Sequence, residues 1–321
     1  MAPTGPAPVR LLTRSEVRSL LRWPELIAAA EHALVRLAIG DDVTASSSQV
    51  LVPGAALHLK SGALLDPAVL SVKANLRPDA GSSAGVVLAF DPVRHTLRAV
   101  LDSADITAMR TAAVAAVAAR QLTGPAGHSL PSVAVIGVGP VGSRSLAALR
   151  QVLAVGEVLL WSRDQDRAER AAAELSGPVR VCQSAAEAAS QAQIVITATP
   201  ARVPVLRAGC IAEGAVVLAM GADSPGKREL ADGVLDDAAI VVDVAADAFT
   251  VGECAYLAGG AAEHRHAELG RLLAGQASLP QDVRHIVFDS VGSAVVDAAA
   301  TALVLALAEQ EEAGQLFTFA R

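Results

Sequence analysis

A glycine-rich segment between a strand-like and a helix-like stretch is the feature that most constrains the fold of this chain. Residues 133–136, Val-Ala-Val-Ile, have the unbroken apolar character of a buried parallel strand, and an Ala/Leu-rich stretch with helical character follows. Between them Gly137, Gly139 and Gly142 form the pattern G-x-G-x-x-G. In this setting the three glycines permit a tight turn, the approach of a pyrophosphate to the backbone, and close packing of helix on strand. The segment therefore predicts a dinucleotide site; a glycine-rich turn without a ligand is the alternative.

The loop also contains Pro140 and Val141, which we assign to the cofactor site because the N-terminus of the following helix would face the phosphates. Strand-like and helix-like stretches alternate from this point on. Strands are predicted at residues 132–136, 157–161, 179–182, 194–197, 215–220 and 239–242. This alternation is typical of a doubly wound parallel sheet, so we predict an α/β chain with a Rossmann-type domain.

The part of the chain before the glycine loop does not alternate in this way and predicts a mixed α+β domain. The pattern is helical from Leu11 to about Gly40: Thr13 and Glu16 form a capping box, and Pro24 fits the first turn of a helix over residues 25–38. Strands are predicted at 49–60 and 68–75 and as a pair at 88–91 and 97–102, followed by a helix at 107–122 and, near the C-terminus, one at 292–310. We expect a break at Pro125 and Gly127, and hence a split first domain, 1–124 completed by 299–321, around a nucleotide-binding domain, 125–298.

Composition excludes several classes of function. The chain of 321 residues is 52% hydrophobic and carries a net charge of −7, which argues against disorder and against a nucleic-acid partner. The longest apolar run contains Asp297, so we expect no membrane span, and the Pro-rich first eight residues do not resemble a signal peptide. Three widely spaced cysteines match no zinc motif and suggest a reducing, cytoplasmic setting. No histidine is assigned to metal or catalysis; His264 and His266 are predicted to lie in a polar loop.

The end of the second strand bears on the choice of cofactor. An acidic residue there binds the ribose 2′-hydroxyl of NAD, whereas a nearby arginine accommodates the 2′-phosphate of NADP. Here Ser162 takes the acidic position and Arg163 follows it, so we favour NADP(H) over NAD(H). In the alternative, Arg163 is a solvated loop residue and Asp164 binds the ribose. Thr111 and Thr197 are assigned to the cofactor site as well.

Several segments resemble motifs of the ornithine cyclodeaminase/mu-crystallin family, in family order over nearly the whole chain. They are Leu-Asp-Ser-Ala-Asp-Ile-Thr-Ala-Met-Arg-Thr (101–111), Met-Gly-Ala-Asp-Ser-Pro-Gly-Lys-Arg-Glu-Leu (220–230), Ser-Val-Lys (71–73), Val-Gly-Glu (251–253) and Val-Phe-Asp-Ser-Val-Gly (287–292). The resemblance implies a homodimer whose split N-terminal domain forms the interface. It also implies a Rossmann domain, with a small amino or imino acid bound between the two domains.

The same resemblance implies roles for three residues. Lys73 and Arg110 match positions that bind the substrate carboxylate, and cations suit that role because a guanidinium can grip a carboxylate with two hydrogen bonds. Asp223 matches the proposed acid/base of the cyclodeaminases and related alanine dehydrogenases, and we assign catalysis to Asp223 and Lys73. The alternatives are surface cations and an aspartate that caps a turn. The presence of Asp223 argues against the crystallin-like ketimine reductase branch, which does not keep it.

One departure from the family pattern concerns residues 44–50, where members usually carry another carboxylate-binding arginine and this chain has none. Lys60 lies nearby and either replaces that arginine or indicates a different substrate. The leading hypothesis is therefore an NAD(P)-dependent oxidoreductase that reduces a C=N bond in a small imino acid. The alternatives are an ornithine cyclodeaminase-like cyclisation of a diamino acid, with hydride removed and returned, and a nucleotide-binding protein without enzymatic activity.

Overall fold

The computed structural model describes residues 8–40, 43–78, 83–124, 131–257 and 266–319. Contacts within the chain divide it into two units: unit 1 comprises Met1–Arg110 and Ser293–Arg321, and unit 2 comprises Thr111–Gly292. The predicted domain limits at 124/125 and 298/299 stay a prediction. Residues 1–7 of the Pro-rich start, the expected break at Pro125 and Gly127, and His264 lie outside the described residues.

Unit 1 is built on a seven-stranded sheet in the order β15-β1-β6-β5-β4-β3-β2. Strands β1 and β6 are parallel, and the other neighbours are antiparallel. The strands are β1 (Val9–Leu12), β2 (Val43–Val52), β3 (Ala55–Leu65), β4 (Ala68–Pro78), β5 (Ala84–Asp91), β6 (Thr96–Asp102) and β15 (Gln315–Phe317). The helices are α1 (Arg14–Leu20), α2 (Trp23–Ile39), α9 (Ala294–Gln310) and the start of α3 (Ala104–Leu122), which continues in unit 2.

Local sequence explains the first helices. Thr13 and Glu16 form the predicted capping box at the start of α1, and α2 ends at Gly40, whose φ of +78° favours glycine. Two predictions in this region are wrong. The helical pattern does not begin at Leu11, since Val9–Leu12 form a strand between β15 and β6. The single strand predicted over 49–60 is a hairpin that turns at Gly54.

Helix α9 packs closely on the sheet of unit 1. A Cβ atom on Gly62 of β3 would lie 2.2 Å from the carbonyl oxygen of Ala294, so only glycine allows this approach. Ser293 caps α9 by accepting a hydrogen bond from the backbone N–H of Val295. This packing carries the first turn of α9, which includes Asp297, to the inner face of β3 and β4.

Unit 2 contains an eight-stranded, all-parallel sheet in the order β13-β12-β14-β11-β10-β7-β8-β9, which confirms the predicted doubly wound α/β class. Its strands are β7 (Val133–Ile136), β8 (Val158–Trp161), β9 (Val179–Val181), β10 (Ile194–Thr197), β11 (Val216–Ala219), β12 (Ala238–Val242), β13 (His266–Glu268) and β14 (His285–Asp289). Its helices are α4 (Pro140–Leu149), α5 (Gln165–Ala173), α6 (Ala185–Ser190), α7 (Ala245–Val251) and α8 (Leu269–Leu273). The chain runs from β7 to one edge and returns at β10, so the switch point, where such sheets bind ligands, lies between these two strands.

Strands β13 and β14 were not predicted from the sequence. His266 was predicted to lie in a polar loop; instead it begins β13, and its ring contacts that of Phe249 at a centroid distance of 4.9 Å. Within the described ranges, no helix combines the length and the apolar character that crossing a membrane would require.

Candidate active site

The glycine loop of unit 2 lies at the switch point of the parallel sheet. Gly137 has a φ of +98°, and a Cβ atom there would lie 2.7 Å from the carbonyl oxygen of Ala198, which follows β10. A Cβ atom on Gly142 would lie 2.0 Å from the carbonyl oxygen of Gly137. Backbone packing therefore requires glycine at both positions.

Gly139 is different, because none of the described residues requires a glycine there. A Cβ atom there would meet only the Nη2 atom of Arg167, at 3.9 Å, and its φ of −77° suits any residue. Gly139 is the N-cap of α4, with Pro140 as the first helical residue and Val141 next. The open space over Gly139 at the positive end of α4 fits the pyrophosphate of a dinucleotide, so these residues would hold the cofactor.

The segment that follows β8 carries the cations Arg163 and Arg167. Arg163 is exposed and Ser162 is half-buried. The carboxylate of Asp164 caps α5 by accepting a hydrogen bond of 3.0 Å from the backbone N–H of Arg167. Whether Asp164 binds the ribose stays a prediction. Arg167, in the first turn of α5, was not singled out in the sequence, yet its guanidinium lies beside Gly139.

In unit 1 the predicted carboxylate-binding cations surround a buried aspartate that the sequence analysis did not assign to the site. Lys73 of β4 and Arg110 of α3 are 3% and 4% exposed, so neither is a surface cation. The Nζ atom of Lys73 lies 2.7 and 2.6 Å from the two carboxylate oxygens of Asp297, and the Nε atom of Arg110 lies 2.7 Å from Oδ1. Lys60 pairs with Lys73 in the β3–β4 register. We call Lys60, Lys73 and Arg110 the cation cluster.

The cation cluster has unused hydrogen-bonding capacity. The Nε and Nη1 atoms of Arg110 are buried and have no hydrogen-bond partner among the described residues, because the short contact from Nε to Asp297 is not aligned for a hydrogen bond. Burial lowers the pKa of Lys73 to about 7, with Asp297 opposing the shift and Arg110 and Lys60 adding to it. Burial disfavours ionisation of Asp297, but Arg110, Lys73 and Lys60 together hold its pKa below the usual value.

Asp223 follows β11 in unit 2, and its side chain is 25% exposed. Its carboxylate accepts a hydrogen bond of 2.7 Å from the Nζ atom of Lys227, four residues on. The Nζ atom of Lys227 also lies 3.4 Å from the carbonyl oxygen of Gly221, which fixes the lysine across the loop. Asp223 is therefore held by an ion pair. Lys227 was not singled out in the sequence.

Glu229 fixes the ends of two strands beside this loop. Its Oε1 atom accepts hydrogen bonds of 2.7 Å from the backbone N–H and the hydroxyl of Thr199, and its Oε2 atom accepts bonds of 2.8 Å from the hydroxyl of Thr197 and the N–H of Gly221. The Thr197 side chain is fully buried and committed to this contact. Thr111 is buried in α3, next to Arg110. Whether Thr111 and Thr197 touch a cofactor stays a prediction.

Three further buried carboxylates tie together the segments that carry the family resemblance. Glu253 accepts hydrogen bonds from the backbone N–H groups of Glu229 and Leu230, and Asp289 accepts one from Cys254. Asp243 accepts bonds from residues 290–292. Burial raises the pKa of Glu253 to about 8 and that of Asp289 to about 7. These motifs thus share one structural role, since they fix the loops at the carboxyl edge of the sheet.

Known proteins resemble this chain over most of its length. The family model described as ornithine cyclodeaminase/mu-crystallin family matches residues 68–312. The ketimine reductase mu-crystallin of Mus musculus is 36% identical over 68% of this chain and 67% of its own length. The alanine dehydrogenase of Archaeoglobus fulgidus is 31% identical over 97% of this chain and 98% of its own length.

Among solved structures, the Δ1-pyrroline-2-carboxylate reductase of Thermococcus litoralis, in complex with NADH and L-proline, superposes with a TM-score of 0.88. It is 26% identical in sequence, and the match covers 96% of this chain and 99% of that one. The predicted resemblance is confirmed: the chain belongs to the ornithine cyclodeaminase/mu-crystallin family.

Proposed function

We propose that this protein is an NAD(P)-dependent oxidoreductase of a small amino or imino acid and that it reduces a C=N bond. The observation that carries the proposal is the buried guanidinium of Arg110, whose Nη1 atom has no hydrogen-bond partner among the described residues. A buried cation with unused donors calls for an anionic ligand, and a planar carboxylate matches a guanidinium best. The relatives are named a ketimine reductase, an alanine dehydrogenase and a pyrroline-2-carboxylate reductase. These names describe oxidation or reduction at a carbon–nitrogen bond, and the last two name a compound that carries a carboxylate.

In this proposal the cation cluster binds and orients the substrate carboxylate. The Nη1 atom of Arg110 donates a hydrogen bond to the substrate carboxylate, and the ammonium group of Lys73, which also contacts Asp297, adds a compact positive charge. Lys60, opposite Lys73 in the sheet, takes the place of the arginine that family members carry near residues 44–50. Two or three fixed cations hold the substrate in one orientation, and such positioning supplies a large part of catalysis.

Lys73 and Asp223 are proposed to manage the protons. With a pKa of about 7, the Nζ atom of Lys73 can hold or release a proton at neutral pH, as a general acid or base must. The carboxylate of Asp223, held by Lys227, would exchange a proton with the substrate nitrogen or with water. A bound nicotinamide cofactor supplies the hydride.

The proposed cofactor preference is NADP(H) over NAD(H). Ser162 and Arg163 support it, because a hydroxyl takes the usual acidic position at the end of β8 and a guanidinium that can pair with a 2′-phosphate follows it. Dissociation constants for NADPH and NADH, measured by isothermal titration calorimetry, test the preference. Ser162→Asp should reverse it, and tighter binding of NADH by the unaltered protein would refute it.

A substrate screen tests the proposed reaction. Cyclic imino acids, 2-oxo acids with ammonia or amines, and diamino acids are each offered with NADPH and with NAD⁺, while cofactor absorbance and ammonia are followed together. Net oxidation of NADPH by an imino acid is the expected result. Ammonia released from a diamino acid without net change in the cofactor would identify a cyclodeaminase instead. No turnover of any substrate despite tight cofactor binding would favour the non-enzymatic alternative.

We also propose a homodimer formed through the sheet of unit 1, and a cytoplasmic location. Strand β2 lies at the edge of that sheet, and three consecutive apolar side chains on it, Val50, Leu51 and Val52, are more than half exposed. Val50 and Val52 share one face of the strand and Leu51 lies on the other, and exposed apolar side chains grouped at a sheet edge are typical of an interface. Light scattering coupled to size-exclusion chromatography tests the dimer, and Leu51→Glu should weaken it.

A further inference from the structure

Asp297 is the anionic partner of two buried cations that come from other parts of unit 1. It lies in the first turn of α9, is fully buried, and contacts Lys73 of β4 and Arg110 of α3 at 2.6–2.7 Å. We propose that Asp297 is a positioning residue: it holds Lys73 and Arg110 in a fixed arrangement and so presents the Nη1 atom of Arg110 to the carboxylate of the substrate. This inference rests on the proposed function.

The positive charge around Asp297 exceeds the negative charge of its carboxylate, which favours the binding of a second anion. The buried cations Lys73 and Arg110 both contact the single carboxylate of Asp297, and Lys60 also acts on its ionisation. A buried cation without a counter-ion is costly, so this excess of positive charge favours the entry of an anionic ligand. Asp297 therefore reduces the mutual repulsion of the cations without neutralising them, and a substrate carboxylate would complete the balance.

Hydrogen-bond geometry distinguishes this arrangement from a purely structural ion pair. The Nζ atom of Lys73 donates a hydrogen bond of 2.7 Å to Oδ1 of Asp297, and its contact of 2.6 Å with Oδ2 is not aligned for a second one. The Nε atom of Arg110 lies 2.7 Å from Oδ1 but is out of line for a hydrogen bond, and Nη1 has no hydrogen-bond partner among the described residues. A structural pair would be expected to use the parallel N–H groups of the guanidinium, which match a carboxylate in a bidentate contact. The arrangement instead leaves the Nη1 atom of Arg110 available to a ligand.

The test uses Asp297→Asn, which keeps the shape of the side chain and removes its charge. The probe is pyrrole-2-carboxylate, a planar mimic of a cyclic imino acid, titrated calorimetrically into the NADPH complex from about pH 5 to pH 9. Loss of Asp297 removes the group that raises the pKa of Lys73, so that pKa falls further. We expect pyrrole-2-carboxylate to bind about 10- to 100-fold more weakly, because an orienting group is misplaced. We also expect its binding to be lost with rising pH from a lower pH than in the unaltered protein.

Asp105→Asn is a matched control. Asp105 is also a fully buried aspartate of unit 1 with two arginine partners, Arg14 and Arg18, at 3.1 and 2.9 Å. Both variants should lower the melting temperature. Only Asp297→Asn should shift the pH dependence of probe binding. Equal pH profiles for Asp297→Asn and the unaltered protein would overturn the inference.

Asp297→Glu covers the case in which Asp297→Asn does not fold. It keeps the charge and moves the carboxylate. We therefore expect a raised KM for the imino acid identified in the substrate screen, and an alkaline loss of probe binding at the same pH as in the unaltered protein. A KM equal to that of the unaltered protein would overturn the inference. Failure of the proposed function has a different signature. In that case the unaltered protein would neither bind pyrrole-2-carboxylate nor oxidise NADPH with any imino acid.

Discussion

Replacing Gly139 and Gly142 by alanine should separate the requirements of the ligand from those of the fold. At Gly139 an added methyl group meets only the end of a flexible side chain, that of Arg167 at 3.9 Å, and φ is −77°. The chain should therefore fold normally. Since alanine reduces the entropy of the unfolded chain, Gly139→Ala should stabilise the protein by about 0.4–1 kcal/mol. At Gly142 the methyl group would lie 2.0 Å from a backbone oxygen, and overpacking of this kind costs about 1–3 kcal/mol or more.

Gly139→Ala should weaken cofactor binding although it does not destabilise the protein. A methyl group on Gly139 occupies the space through which the pyrophosphate would reach the start of α4. Loss of a charge-assisted hydrogen bond to the phosphate costs about 1.5–3 kcal/mol, which is roughly a 10- to 150-fold rise in Kd. We therefore expect Gly139→Ala to keep or raise the melting temperature while it weakens the binding of NADPH.

Differential scanning calorimetry of the free protein and titration calorimetry with NADPH measure the two effects. Gly139→Val extends the series, because its larger side chain should weaken binding further. If Gly139→Ala bound NADPH with unchanged affinity, the phosphates would not approach the backbone at this glycine, and the assignment of the site would be refuted. A destabilised Gly139→Ala protein would instead show that the space above the loop is used by the protein itself.

Three further predictions concern single side chains. Asp223→Asn should lower kcat by about 10²–10⁴-fold with little loss of stability, because its ion pair with Lys227 is partly exposed; unaltered kcat and pH dependence would remove Asp223 from the mechanism. Arg167→Met should raise the Kd of NADPH by about 10-fold or more, while Arg170→Met, on the same helix, should not; equal losses for NADPH and NADH would assign Arg167 to the pyrophosphate rather than to the 2′-phosphate. The folded pKa of Glu253, about 8, lies above its ordinary value of 4.5, so the folded protein binds the extra proton, and stability is lost as pH rises from about 4.5 to about 8. Glu253→Gln should reduce that slope in melting temperature, and an unchanged slope would contradict the assignment.

Sequence predicted the core of unit 2 well because its strands are buried on both faces. Strands β7, β8, β10 and β11 are continuous apolar runs, and each was located to within two residues at either end. The hairpin of β2 and β3 was not resolved. Its first strand contains Ser46, Ser47 and Ser48, which give no alternation of apolar and polar residues, so the turn at Gly54 was the only local signal.

The sequence identified the cations of the site but not the aspartate between them. Lys73 and Arg110 lie in segments with a family resemblance, whereas Asp297 was noticed only as a charge that interrupts an apolar helix. Its partner Lys73 is 224 positions away, and pairing over such a distance leaves no local pattern. A charged residue in an otherwise apolar helix was nevertheless a usable signal, because a buried charge requires a partner.

The division of unit 1 along the chain has a consequence for biosynthesis. Lys73 and Arg110 belong to the first segment of the unit, and the Asp297 carboxylate that pairs with them belongs to the last. During translation, residues 111–292 must be made in between, which takes roughly 10–40 s at about 5–20 residues per second. For that time two cations destined for the interior lack their counter-ion, and β3 and β4 lack the helix that covers them. Unit 1 can therefore reach its final structure only after unit 2 has been synthesised, so unit 2 has the opportunity to fold first.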